Sequence, residues 1–299
     1  MDEFDVLTQL RQDTPAMSAR ARAQGRLRLL GEIEGRRRES RWLPARRTML
    51  AAAGVVILTV AILGYQVVGS PDGGSTAEAS TVLQAAAAVA GVPAAVPRAE
   101  QFTYVEVVHV TSGGRQRVQE WRSVDGSRPG LIRSSGFLGS TSGAIAPYDP
   151  AAGLRTAPYA VLAKLPTDPA ALARVLGEDP YVQDSVRYNN VSRDVGIWSL
   201  VRELVETAPP AQKAALFQAA STIKGITYVP TATDAAGRTG EAVGLDDPRL
   251  GNVQFLFDRD THAFLGERIL NHGSTTSIQF NDAIQQTGVA DTAGSVPRR

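Results

Sequence analysis

Three hydrophobic periods run along this chain of 299 residues. The first is an unbroken apolar run. From Thr48 to Pro71 the sequence reads TMLAAAGVVILTVAILGYQVVGSP, without Asp, Glu, Lys, Arg or His. Its apolar body, Thr48 to Val68, is 21 residues. At about 1.5 Å per residue that is about 32 Å of helix, enough for a hydrocarbon core of about 30 Å. The pattern predicts a transmembrane helix over 48–69. Gly54 and Gly64 would weaken a soluble helix but are common in membrane helices, and Tyr65 suits a headgroup layer.

The second period is helical and weak. Phe4, Leu7 and Leu10 share one face of a short segment that Pro15 ends. Leu27, Leu30 and Ile33 repeat the spacing in a second segment. The stripe is too thin to stabilise helices in isolation, so residues 1–47 read as helical only where a partner covers them. Residues 70–79 are Gly- and Ser-rich and read as a flexible linker.

Beyond the linker the helical and strand periods alternate. An Ala-rich helix over 81–90 follows Ser80 as its cap, and Gly91 and Pro93 end it. FTYVEVVHVT (102–111) and QRVQEWRSV (116–124) are strand-like, with hairpin chemistry at Ser112–Arg115. Leu131–Ser134 makes a third strand, and 135–160 reads as a long surface loop. Thr167-Asp168-Pro169 opens a helix that Gly177 stops. Residues 194–207 carry Ile197, Leu200, Val201, Leu204 and Val205 on one face. Pro209-Pro210 opens a further helix to Ala220. Strands are predicted over 226–231, 240–245, 252–258, 263–270 and 275–280, with Val253, Phe255 and Phe257 on one face. The expected fold is α+β over 80–282: a curled antiparallel sheet with packed helices, half-barrel-like, its concave face either open or plugged by the helices of 168–220. Residues 283–299 read as a frayed tail.

Charge orients this arrangement. Residues 1–47 carry eleven Arg and seven acids, 11 − 7 = +4, and the rest of the chain 20 bases and 23 acids, 20 − 23 = −3. Arg36, Arg37, Arg38, Arg41, Arg46 and Arg47 crowd one flank of the apolar run, whereas the first base beyond it is Arg98. The positive-inside rule places the N-terminus in the cytoplasm and the C-terminal domain outside, with the arginines on the anionic inner leaflet. Arg46-Arg47, with Ala77-Glu78-Ala79 downstream, also has the order of a twin-arginine export signal and cleavage site. The long segment before the run favours a retained anchor.

Recognisable chemistry is sparse. The absence of cysteine excludes disulfides, thiolate metal sites and Cys nucleophiles, and the balanced total charge of +1 argues against a nucleic-acid binder. His109, His262 and His272 follow no metal-binding spacing. A site from His262, His272 and Asp258 or Asp260 is less favoured than solvated turn residues. Gly139-Ser140-Thr141-Ser142-Gly143 has Thr where a nucleophile elbow needs Ser. No catalytic residue, cofactor or metal is assigned, and the chain reads as non-enzymatic.

Several strings fall in a telling order: Glu120-Trp121-Arg122 with Asp125-Gly126-Ser127; Leu165-Pro166-Thr167-Asp168-Pro169; Arg202-Glu203 leading to Pro209-Pro210 and LFQAA; Asp234-Ala235-Ala236-Gly237-Arg238; and Asp258 with Thr261, Leu265, Gly266 and Glu267. In this order, with 28 Arg against 3 Lys, the chain resembles an uncharacterised family of actinobacterial single-span membrane proteins often found beside extracytoplasmic-function sigma factors. The resemblance spans residues 1 to about 282. It implies an outer domain similar to lipoprotein-carrier or sigma-regulator sensor domains. It also implies a membrane-anchored regulator or sensor of anti-sigma character, docking a sigma factor through Phe4, Leu7, Leu10, Leu27, Leu30 and Ile33. Zinc-type anti-sigma domains need a His and two Cys, so such docking would here be metal-free. The alternative is a surface-anchored lipid or lipoprotein binder, taking an apolar ligand outside the cell.

Overall fold

The computed structural model describes residues 76–298 except 93 and 275. The expected membrane span, the arginine cluster Arg36–Arg47 and the expected docking stripe Phe4–Ile33 all lie outside the described residues. Among the described residues no helix is long and apolar enough to cross a membrane.

The domain is α+β. Strands β1 (Phe102–Thr111), β2 (Gly114–Ser123), β3 (Gly130–Gly136) and β4 (Gly139–Ile145) come before the helices. Strands β5 (Thr227–Thr233), β6 (Thr239–Asp247), β7 (Gly251–Phe257), β8 (Phe264–Leu270) and β9 (Ile278–Ala290) follow them. All nine form one antiparallel curled sheet in the order β4-β3-β2-β1-β9-β8-β7-β6-β5. Two meanders are thus joined by a single seam, β1 against β9, with register from Phe102↔Ala290 to Thr111↔Phe280.

Among the described residues six helices lie between or before these strands: α1 (Thr76–Ala90), α2 (Tyr159–Leu162), α3 (Pro169–Glu178), α4 (Pro180–Asn189), α5 (Arg193–Leu204) and α6 (Pro210–Ala220). Local chemistry fixes their starts. Asp168 accepts from the Ala171 amide at 2.7 Å, Asp179 from Tyr181 at 2.9 Å and Ser192 from Val195 at 3.2 Å. Pro169, Pro180 and Pro210 each occupy the first turn, where no amide is needed.

The helices cover the inner face of β6–β8. Val253, Phe255 and Phe257 do share that face, and all three are fully buried. Trp198 of α5 stacks on Phe255 with ring centroids 4.3 Å apart and donates to the Val253 carbonyl at 3.2 Å. Phe217 of α6 meets Phe255 and Phe257 edge-on. The predicted stripe of α5, Ile197 to Val205, is buried throughout.

Four differences from the sequence reading have physical causes. Helix α1 begins at Thr76, inside the expected linker, because Ala79 is buried with Val82 and Leu83 in the core cluster and Thr76 donates to the Ile226 carbonyl at 3.2 Å. The region 135–160 is not one loop: Gly- and Ser-rich β4 pairs with β3, and two 3-10 turns, Pro150–Ala152 and Leu154–Thr156, follow. Gly177 does not stop α3; Asp179-Pro180 ends it and opens α4, which buries only Val182 and Ser185 and so carries little apolar signal. Residues 283–290 are not tail but the second half of β9, central in the sheet.

The residues after β9 close the outer face of β1 and β2. Ala293 packs beside Tyr104 and Trp121, and Trp121 donates to the Ser295 carbonyl at 2.6 Å. A full-length chain ended at Ala290 should therefore stay folded but lose about 1–3 kcal/mol, with red-shifted tryptophan emission. Ending it at Asp282 should abolish cooperative urea unfolding. A cooperative transition in the shorter chain would contradict this placement of β9.

Candidate functional site

The inner face is only partly filled. Over β1, β2 and β9 the helices stand off, leaving a cleft of about 290 Å³. Its floor is apolar, from Val105, Val107 and Val118. Strand alternation puts these residues inward while Tyr104, Glu106 and Trp121 point out. The same alternation turns Thr103, His109, Glu120 and Arg122 into the cleft. The roof is the turn Arg155–Ala157, the end of α5 with Arg202 and Glu203, and the turn after it with Glu206 and Thr207. Glu267 of β8 and Asp282 of β9 complete one wall.

A local break in the sheet frames that wall. The β8–β9 ladder pairs only Arg268–Leu270. Beyond it, the turn between β5 and β6 fills the gap from outside. Asp234, fully buried, accepts from the amides of Ala236 and Arg238, both at 2.9 Å, and pairs with the Arg238 guanidinium at 2.6 Å. Arg238 then donates to the carbonyls of Leu265 at 3.1 Å and Ile284 at 3.0 Å. One side chain thus supplies donors where the ladder lapses. Gly266 sits here at φ +148°, and a Cβ on it would meet the Asp282 carbonyl at 2.8 Å.

The charged groups hold one another across the cleft. Arg202 pairs with Glu203 at 2.6 Å and with Glu267 at 3.1 Å, tying α5 to β8. Arg155 lies 3.5 Å from Glu203, Arg122 2.8 Å from Glu120, and His109 Nδ1 2.5 Å from Asp282. Glu206 makes no hydrogen bond or ion pair among the described residues. Burial pushes the Glu206 carboxyl up to about 7, helped by the Asp282 and Glu120 charges and opposed by His109 and Lys213. Burial also raises Glu267 well above the usual range against the pull of Arg202, and raises Asp282 against that of His109. For His109 burial acts downward, but the Asp282 bond and charge, with Glu206 and Glu120, hold the imidazole above its ordinary value.

The sequence reading left His109 as a mid-strand residue and assigned no role to Asp282. They are 173 positions apart, and only the β1–β9 pairing makes them neighbours. The available signal was indirect: Glu120, Arg122, Arg202, Glu203 and Glu267 all stand in the strings that carry the family resemblance, and all line the cleft. Other residues weighed for chemistry are turn-formers. Asp258 accepts from the Asp260 and Thr261 amides, at 3.1 and 2.8 Å, and His262 meets Glu241 at 3.0 Å. Among the described residues no group of His, Asp and Glu could hold a metal.

Stability should follow from these proton affinities. His109, Glu206, Asp282 and Glu267 each keep a proton to higher pH when folded than when unfolded. The stabilisation is therefore present at the acid end and lost as pH rises from the ordinary Glu206 value of 4.5 through about 7. Carboxylates held low elsewhere, such as Asp125 at about 2, are ionised throughout that window and add no slope. Thermal midpoints should fall between about pH 5.5 and 8. Glu206→Gln should flatten the curve and stabilise the chain by about 1–2 kcal/mol at the alkaline end. A midpoint that rises with pH over this range would refute the assignment.

No protein-family model and no curated protein matches the chain. Among solved structures, a chain of the Pseudomonas aeruginosa MucA/MucB complex aligns over 74% of this chain and 59% of its own length, at 15% identity and TM-score 0.29. A crystal structure of MucB aligns over 76% and 62%, at 15% identity and TM-score 0.30. The chain thus spans about three fifths of the length of these structures. At such TM-scores the likeness bears on neither partner nor activity.

Proposed function

We propose that this chain is a non-enzymatic, single-span membrane regulator. Its outer domain is a sensor and its residues 1–47 are a cytoplasmic arm that docks an extracytoplasmic-function sigma factor. The observation that carries this reading is the cleft. One of its charged pairs, Arg202 with Glu267, joins the end of α5 to the sheet, which suits a site that binds a ligand and reports it by shifting a helix. The sequence supplies the rest: the apolar run Thr48–Val68, its arginine flank and the thin stripe from Phe4 to Ile33.

The cleft favours a polar ligand over the apolar one of a lipid or lipoprotein binder. An acyl chain would have to displace water from Glu206, Glu267, Asp282 and three arginines without offering them hydrogen bonds, which costs several kcal/mol. The deeply apolar part of the inner face is occupied by Trp198 and Phe217.

The full-length chain should retain the sigma factor encoded beside it at micromolar concentration. Leu7→Asp with Leu30→Asp should weaken retention by about tenfold or more without moving the outer domain's thermal midpoint. Protease added to intact cells should degrade the C-terminal domain. Failure to retain the sigma factor, or a protected C-terminal domain, would overturn the proposal.

A further inference from the structure

Most charges in the cleft are already committed: Arg202 to two glutamates, Arg122 to Glu120, His109 to Asp282. Two groups of opposite sign are not. Arg155 has a 53% exposed side chain, a single ion pair, at 3.5 Å, and no hydrogen bond among the described residues; its guanidinium rests on the Tyr181 ring at 5.5 Å. Glu206, half-buried, makes no hydrogen bond among the described residues. We propose that the cleft binds a short peptide with free ends, its carboxylate on Arg155 and its ammonium on Glu206.

The position of the poles and the floor fit that class of ligand. Arg155 stands 3.5 Å from Glu203, and Glu206 follows Glu203 by three residues in the turn after α5, so both poles line the roof of one cleft. Between them the valine floor of Val105, Val107 and Val118 offers apolar contact for small side chains without demanding hydrogen bonds. The cleft of about 290 Å³ lies at the small end of ligand sites, which run from about 300 Å³ upward, and suits a ligand of a few small residues. An ammonium on Glu206 would also supply the positive partner that now comes only from His109 and Lys213 at longer range.

This inference rests on the reading of the cleft as the sensor's ligand site, and its test separates the two. The full-length chain is titrated calorimetrically with trialanine, N-acetyl-trialanine, trialanine amide and glycerophosphoethanolamine. Trialanine should saturate the chain, and blocking either end should weaken binding by about tenfold or more, the loss expected for one charged hydrogen bond. Glu206→Gln should weaken trialanine but not its acetylated form, and Arg155→Gln should weaken trialanine but not its amide. Both side chains lack structural hydrogen bonds, so the variants should stay folded, Glu206→Gln with a midpoint raised at the alkaline end; Glu206→Asp and Arg155→Lys should restore part of the affinity. No binding at millimolar trialanine would overturn the inference, as would blocked peptides that bind like the free one. Glycerophosphoethanolamine, with the same ammonium but a phosphate, would also overturn it by binding more tightly than trialanine. A chain that retains the sigma factor yet ignores trialanine would lose this inference and keep the proposed function.

Discussion

The pairing of β1 with β9 is the constraint from which the rest follows. It joins two antiparallel meanders whose strands lie on either side of more than eighty residues of helix and turn. A connection of that length has a closure entropy to overcome before its contacts form, so the seam must bury apolar side chains. It does. Val105 and Val107 face inward and Phe102, Tyr104 and Val108 outward, all buried. The register of this one seam decides which residues meet in the cleft, because a slip of β9 by one position would turn Asp282 to the outer face, away from His109.

The cleft exists because the helices do not cover the whole sheet. Trp198, Phe217 and the valine and phenylalanine faces of β6 and β7 account for the apolar core. On the seam side the helices end in charged residues, and there Arg202, between Glu203 and Glu267, adds an ionic tie from α5 to the sheet beside the apolar contacts of Trp198. A buried ion network of this kind adds little net stability, since desolvation offsets much of the attraction. The inserted turn Asp234–Arg238 keeps the opposite wall fixed by replacing missing ladder bonds between β8 and β9.

Much of the domain could be read from the sequence where one face was strongly apolar. The strands β1, β2, β6, β7 and β8 and the helices α3, α5 and α6 carry residues of strong periodicity or clear caps, and the sequence reading located each to within a few residues. Elements with weak or two-sided patterns were not legible. Strand β4 is Gly, Ser and Thr exposed on both faces, α4 buries two residues, and the second half of β9, with Gln285, Gln286 and Thr287, looks like tail until β1 is set beside it. The cleft was illegible for a different reason. Its members come from β1, β2, β8, β9, a 3-10 turn and the end of α5, and no local spacing relates them.

Hydrogen exchange on the full-length chain, followed peptide by peptide, tests the seam most directly. If β9 pairs with β1 as described, the amides of 283–289 that face β1 exchange about as slowly as those of β1, near the limit set by global unfolding, and far more slowly than those of the exposed β3–β4 hairpin. If 283–289 exchange within seconds while β1 stays protected, the two meanders are not joined there, and neither the cleft nor the His109–Asp282 pair can be as described.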